Sequence, residues 1–160
     1  MRYRARGVWL SRVGLALWLA LSAGCSTRQA GFDNPKTVLQ DYISESFNVE
    51  SIQDRDGLLR YLTGSAKNRL AAWSDEQFQA AFIKSRRQLI KLEFVDLKNP
   101  NPNEAGITYE LTYLDQNRGQ DAKVIHRKAA QLIRREDRWL ISEVRNLKEM
   151  IEYKNEMSLP

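Results

Sequence analysis

Cysteine is nearly absent. The 160-residue chain holds one, Cys25, so no disulfide forms within it and the folded part stands on its apolar core alone. Histidine is as scarce, with His126 the only one. A single imidazole gives no His–Cys or His–His ligand set, and acid pairs such as Asp54/Asp56 bring no supporting ligands, so no metal site is expected. No glycine-rich run of the phosphate-cradling kind occurs. No serine stands in a nucleophile-elbow context. Internal repeats and long low-complexity tracts are also missing. These gaps exclude the disulfide scaffold, the zinc module, the P-loop and the repeat array, and no cofactor is expected.

A real excess of one charge is lacking too. The chain carries 25 basic and 20 acidic residues, a formal +5. Four of the basic residues (Arg2, Arg4, Arg6, Arg12) stand at the amino end with no acid among them. The remainder is 21 against 20, or +1. Nucleic-acid binding needs a basic patch on the domain itself and is not expected. Lys84-Ser85-Arg86-Arg87 reads as a solvated helix end, and Arg134-Arg135 as a strand end or turn.

After those arginines comes a mostly apolar run, Val13 to Leu21, then the small residues Ser22, Ala23 and Gly24. This is the three-part layout of a secretory signal. The run is short of the roughly 20 apolar residues of a spanning helix. Arginines on its near side hold the amino end in the cytoplasm.

Leu21-Ser22-Ala23-Gly24-Cys25 resembles the lipobox of bacterial lipoproteins. The resemblance implies cleavage before Cys25, acyl chains on Cys25 that hold the protein to a membrane, and, from Ser26, the outer membrane facing the periplasm. Several acyl chains hold firmly where one holds marginally, at about 0.8 kcal/mol per buried CH₂. The expected organisation is a signal peptide over 1–24, a lipidated Cys and tether over 25–33, and a single domain over 34–160. That domain is long enough for one core.

Asn34-Pro35 opens a helix, with Asn as N-cap and Pro at the first helical position. Val38, Leu39, Tyr42, Ile43 and Phe47 form its apolar stripe. Asp54 and Asp56 begin a second helix with Leu58, Leu59, Tyr61 and Leu62, which Gly64 can end. Ser65 caps a short turn carrying Leu70 and Trp73. Ser74 to Gln77 is a capping box leading into Phe78, Phe82 and Ile83.

The period then drops to two. Ile90, Leu92 and Phe94 fall on one face of a first strand. Asn99 to Asn103, with two prolines, breaks it. Ile107, Tyr109, Leu111 and Tyr113 alternate along a second strand, and Asp115 to Gly119 turns the chain. Residues 122–134 form a third strand and 138–147 a fourth, with Glu136-Asp137-Arg138 as the tight turn. The tail with Met150, Ile151 and Tyr153 reads as a short helix or as more of the last strand. Helices followed by an antiparallel meander predict an α+β fold, N-terminal helices packed on one face of a curved sheet of about four strands.

That order, with the closing strand Glu136-Asp137-Arg138-Trp139-Leu140-Ile141, resembles the cone-shaped nuclear-transport-factor-2-like superfamily and its small bacterial lipoproteins, over residues 35–147. The resemblance implies a pocket between concave sheet and helices. A cystatin-like or other helix-on-sheet arrangement satisfies the same order.

Tyr109, Tyr113, Trp73 and Trp139 are the aromatic residues expected to line such a pocket or to pack the core. Tyr109 and Tyr113 share a strand face on either side of Leu111. His126 shares a face with Val124, Lys128 and Ala130, yet its neighbours Arg127 and Lys128 point to solvent. No catalytic residue is assigned. The reading is a non-enzymatic, lipid-anchored periplasmic domain of the bacterial envelope, either a binding domain for an envelope protein or a small apolar ligand or an accessory to envelope assembly. The alternative is a small isomerase- or dehydratase-like enzyme using Asp96, Glu93, Tyr109 or His126 in an apolar pocket.

Overall fold

The computed structural model describes residues 32–119 and 122–153. Cys25 and the apolar run before it lie outside the described residues. Helix α1 (Pro35–Phe47) starts where the sequence places it. Asn34 is extended, and its side-chain oxygen accepts the Lys36 backbone N–H at 2.8 Å. Val38, Leu39 and Ile43 make the buried stripe.

Helix α2 (Asp54–Leu59) is short, and Asp54 accepts the backbone N–H groups of Glu50 and Ser51, each at 2.9 Å. Gly64 does not end this helix but opens the next, α3 (Gly64–Ala71), at φ +54°. Only glycine takes that backbone conformation without strain. Just before it, the Thr63 N–H donates to the Ile141 carbonyl and the Ile141 N–H donates to the Tyr61 carbonyl, both at 2.8 Å. These bonds tie the helical layer to the edge of the last strand.

Helix α4 (Asp75–Phe78) carries the predicted capping box. Ser74 Oγ accepts the Gln77 N–H at 3.2 Å, and Gln77 Oε1 accepts the Ser74 N–H at 2.9 Å. A π-helical segment, Gln79–Ile83, continues it. Loss of an N-cap typically costs about 1 kcal/mol. Ser74→Ala is therefore expected to lower the unfolding free energy by that amount, read as a lower urea midpoint at unchanged slope. An unmoved midpoint would show that the cap holds nothing.

Strands β1 (Arg87–Asn101), β2 (Glu104–Asp115), β3 (Lys123–Arg135) and β4 (Arg138–Glu152) form an antiparallel sheet in the order β1-β2-β3-β4. The last strand takes in Met150 and Ile151, so the tail is strand and not helix. β1 departs from strict alternation. Its register with β2 slips between Leu89 and Lys91 and again between Phe94 and Asp96. Each bulge inserts one residue and re-aims the chain. Ile90 is thus turned outward, 53% exposed, and Val95 likewise. Leu89, Leu92 and Phe94 pair with Tyr113, Leu111 and Tyr109 instead.

The helices lie on one face of the sheet. Leu39, Leu58 and Phe78 from the helical layer meet Ile107, Val124, Leu132 and Ile141 from the strands in one buried cluster. Helices packed against a four-stranded antiparallel sheet make the fold α+β.

Candidate ligand-binding cavity

Period-two alternation on β2 aims Tyr109, Leu111 and Tyr113 at the helices, all three buried. Directly paired residues of neighbouring strands share a face. The β2–β3 register pairs Tyr109 with Lys128 and Leu111 with His126. Lys128 and His126 therefore stand among these aromatic residues, on the inner face. Tyr42, Ser46 and Phe47 approach from α1, and Phe82 from the π-helical segment. Together they surround a cavity of about 220 Å³.

Its walls are locked by ring contacts. Phe47 meets Tyr113 edge-on with centroids 5.6 Å apart, and Phe82 packs on Phe78 at 4.8 Å and on Trp73 at 5.9 Å. Trp73 is 36% exposed at the mouth. The structure thus brings Tyr109, Tyr113 and Trp73 to one cavity. Trp139 is buried elsewhere in the core, its backbone N–H donating to the Phe32 carbonyl at 2.9 Å.

Arg87, the first residue of β1, reaches in from the side. Its Nη2 donates to the Ala81 carbonyl at 2.7 Å and its Nε to Ser85 Oγ at 3.0 Å. The guanidinium sits over Phe47 at 5.4 Å and over Tyr113 and Phe82 at 6.0 Å. Among the described residues no carboxylate pairs with Arg87 or with Lys128, and none lines the cavity. Burial pushes the Lys128 ammonium below its ordinary pKa, and the Arg87 charge adds to the effect. Burial also raises the phenols of Tyr42, Tyr109 and Tyr113 above theirs. They stay neutral donors and supply no counter-anion.

His126 is buried rather than solvent-facing, 8% exposed. Its Nε2 lies 2.5 Å from Glu149 Oε2, and Arg118 Nη1 donates to the other Glu149 oxygen at 2.6 Å. These two partners hold the Glu149 carboxyl below the usual carboxylate range, His126 foremost. Nδ1 of His126 lies 3.5 Å from the Tyr113 hydroxyl, too long for a firm hydrogen bond. Glu93 and Asp96 are exposed on β1 beside Lys91 and Lys98. Of the four residues considered for an enzyme, only Tyr109 and His126 reach the cavity.

Sequence reasoning missed Arg87 and Lys128. Strand parity with Val124 and Ala130 placed Lys128 inside, but its charge argued for solvent. Arg87 belongs in sequence to a basic cluster that reads as solvated. Among the described residues no three His, Cys, Asp or Glu side chains converge on a metal-sized site. No described helix is long and apolar enough to cross a membrane.

No protein-family model matches the chain, and no curated protein matches it. The chain is similar to the solution structure of a SEC-C motif containing protein from Rhodopseudomonas palustris. The identity is 12% and the TM-score 0.55, over 76% of this chain and 84% of that one. This corrects the resemblance to lipoproteins with a nuclear-transport-factor-2-like domain, since the structural neighbour is a SEC-C motif protein and the lipobox-like run lies outside the described residues. The physical reason is visible at Glu136 and Asp137. Both take positive φ, 48° and 61°, as a two-residue hairpin with primed geometry demands. The acidic turn before Trp139 therefore reports a tight hairpin and is no mark of a family. At this identity the likeness to the SEC-C motif protein is one of fold alone.

Proposed function

We propose that the domain is a non-enzymatic module that takes a small apolar ligand into the cavity between α1, the π-helical segment and the inner face of β2 and β3. The observation that carries this reading is the cavity itself. A hydrocarbon-lined space of about 150 Å³ holds a benzene molecule, and this one offers about 220 Å³. In this reading the sheet curls as a cone around the ligand, with Trp73 at the rim. The module works at the cell envelope, tethered through Cys25 on the periplasmic side. That placement rests on the basic, apolar and small residues ahead of Cys25, and mass spectrometry of the membrane fraction beside Cys25→Ser tests it.

Binding is tested with toluene. Its addition is expected to quench or shift Trp fluorescence and to raise the melting temperature. Ala81→Phe, which fills the cavity, is expected to remove both responses. A saturating concentration that leaves the wild type unmoved sinks the reading.

One observation favours the enzymatic alternative, the His126–Glu149 pair with Nδ1 turned toward Tyr113. A carboxylate that fixes one imidazole nitrogen leaves the other as a proton acceptor. In the binding reading His126→Gln retains ligand affinity, and no turnover of a bound carbonyl compound accompanies it in the wild type.

A further inference from the structure

The cavity is apolar in most of its walls, its charged groups are the cations Arg87 and Lys128, and among the described residues no carboxylate lines it, Glu149 acting on Lys128 only from outside the lining. Arg87 is pinned by Ala81 and Ser85, which leaves Nη1 and one Nη2 hydrogen uncommitted. Lys128 lines the same cavity from β3, paired with Tyr109. The titratable groups facing Lys128 are Arg87 from β1, Tyr42 from α1, Tyr109 and Tyr113 from β2, His126 on its own strand and Glu149 from β4. The one carboxylate among them is committed to His126 and Arg118. Two half-buried cations facing one apolar space with no carboxylate in contact are poorly placed, because a buried charge needs a partner. Resting on the binding reading above, we infer that the cavity takes a small monocarboxylate, its carboxylate held between Lys128 and Arg87 and its ring or branched chain laid against Phe47, Phe82 and Trp73.

Size bounds the class. If benzene's six carbons fill about 150 Å³, then about 220 Å³ admits about nine heavy atoms, the count of benzoate. The guanidinium fork matches a carboxylate in geometry, and the ammonium supplies a second charge from β3.

The experiment titrates the full chain with benzoate, the neutral isostere benzamide and toluene by calorimetry. Benzoate is expected to bind at least about 10-fold more tightly than benzamide. Lys128→Met is expected to weaken benzoate by about 10- to 100-fold, the range for a hydrogen bond to a charged group, while toluene, which needs no charged contact, still binds. Lys128→Arg, which keeps the charge, is expected to recover most of the loss, and it serves alone if the methionine variant does not fold. Equal affinity for benzoate and benzamide overturns the anion inference and leaves the apolar site standing. A benzoate preference that survives Lys128→Met overturns the assignment to this site. Failure of all three compounds, toluene included, overturns the binding reading as well.

Discussion

Replacing Phe78 with alanine is expected to destabilise the fold by about 3–5 kcal/mol, the range for a fully buried aromatic side chain. The ring is 0% exposed. It packs on Phe82 at 4.8 Å, and the Arg55 guanidinium lies 4.7 Å from its centroid. Arg55 is itself fixed by Asp75 at 3.0 Å, so its side chain cannot simply swing into the space left behind. A domain of this size has a total stability of about 5–15 kcal/mol, and the variant is therefore near the limit of folding. Phe82 is a wall of the cavity, so loss of its support is also expected to weaken toluene binding. Urea denaturation checks the first effect. A loss below about 1 kcal/mol would mean that the helical layer closes over the gap, and that Phe78 does not hold Phe82 in place. Phe78→Leu, which keeps most of the volume, is expected to cost under about 1.5 kcal/mol.

The parts of the fold legible in the sequence are those where one local rule decides the outcome. Asn34-Pro35 and the Ser74–Gln77 box specify their helix starts through hydrogen bonds made within three residues. Apolar and polar residues alternate regularly from Ile107 to Tyr113, so Tyr109, Leu111 and Tyr113 fall on the inner face by counting. β1 resists counting because its three register shifts depend on the strand it pairs with. An inserted residue such as Ile90 looks no different in sequence from one in regular pairing. Gly64 looks like a stop in sequence because a left-handed glycine commonly follows a helix. Here the same conformation precedes one, and the difference lies in the bonds that Tyr61 and Thr63 make to Ile141, far along the chain.

The cavity shows the limit most clearly. For Lys128 two rules disagree, since parity points inward and charge points outward, and a single sequence holds nothing to weigh them. Charged residues are seldom buried unless paired, so the charge rule prevails when no function is known. The structure resolves the conflict in favour of parity and leaves the charge half-buried. Positions where a general rule fails are often where a protein binds or reacts. The same reasoning explains Arg87. A basic residue after a helix satisfies its last carbonyls, which Arg87 does at Ala81, and this local role hides its place in the cavity wall.

Lys128→Met is expected to separate stability from binding, and in opposite directions. In the empty protein the Lys128 pKa lies below its unfolded value, because burial and Arg87 disfavour the charged form. The unfolded chain then binds more protons than the folded one between the two pKa values, so stability rises with pH across that window. Below the folded pKa the fold bears the whole penalty of keeping the cation half-buried. Above the unfolded pKa that penalty is gone. Methionine removes the penalty at every pH, so the empty variant is expected to melt above the wild type at neutral pH, with the difference shrinking as pH rises through the lysine range. Benzoate reverses the order. At 100 times its dissociation constant a ligand stabilises the folded state by about 2.7 kcal/mol. A 100-fold loss of affinity at the same concentration leaves the variant only about 0.4 kcal/mol. The wild type is thus expected to overtake the variant in melting temperature as benzoate is added, while toluene raises both in parallel. A variant that melts below the wild type without ligand would show that Lys128 is already neutralised in the empty protein. The two cations would then have no need of an anion from outside.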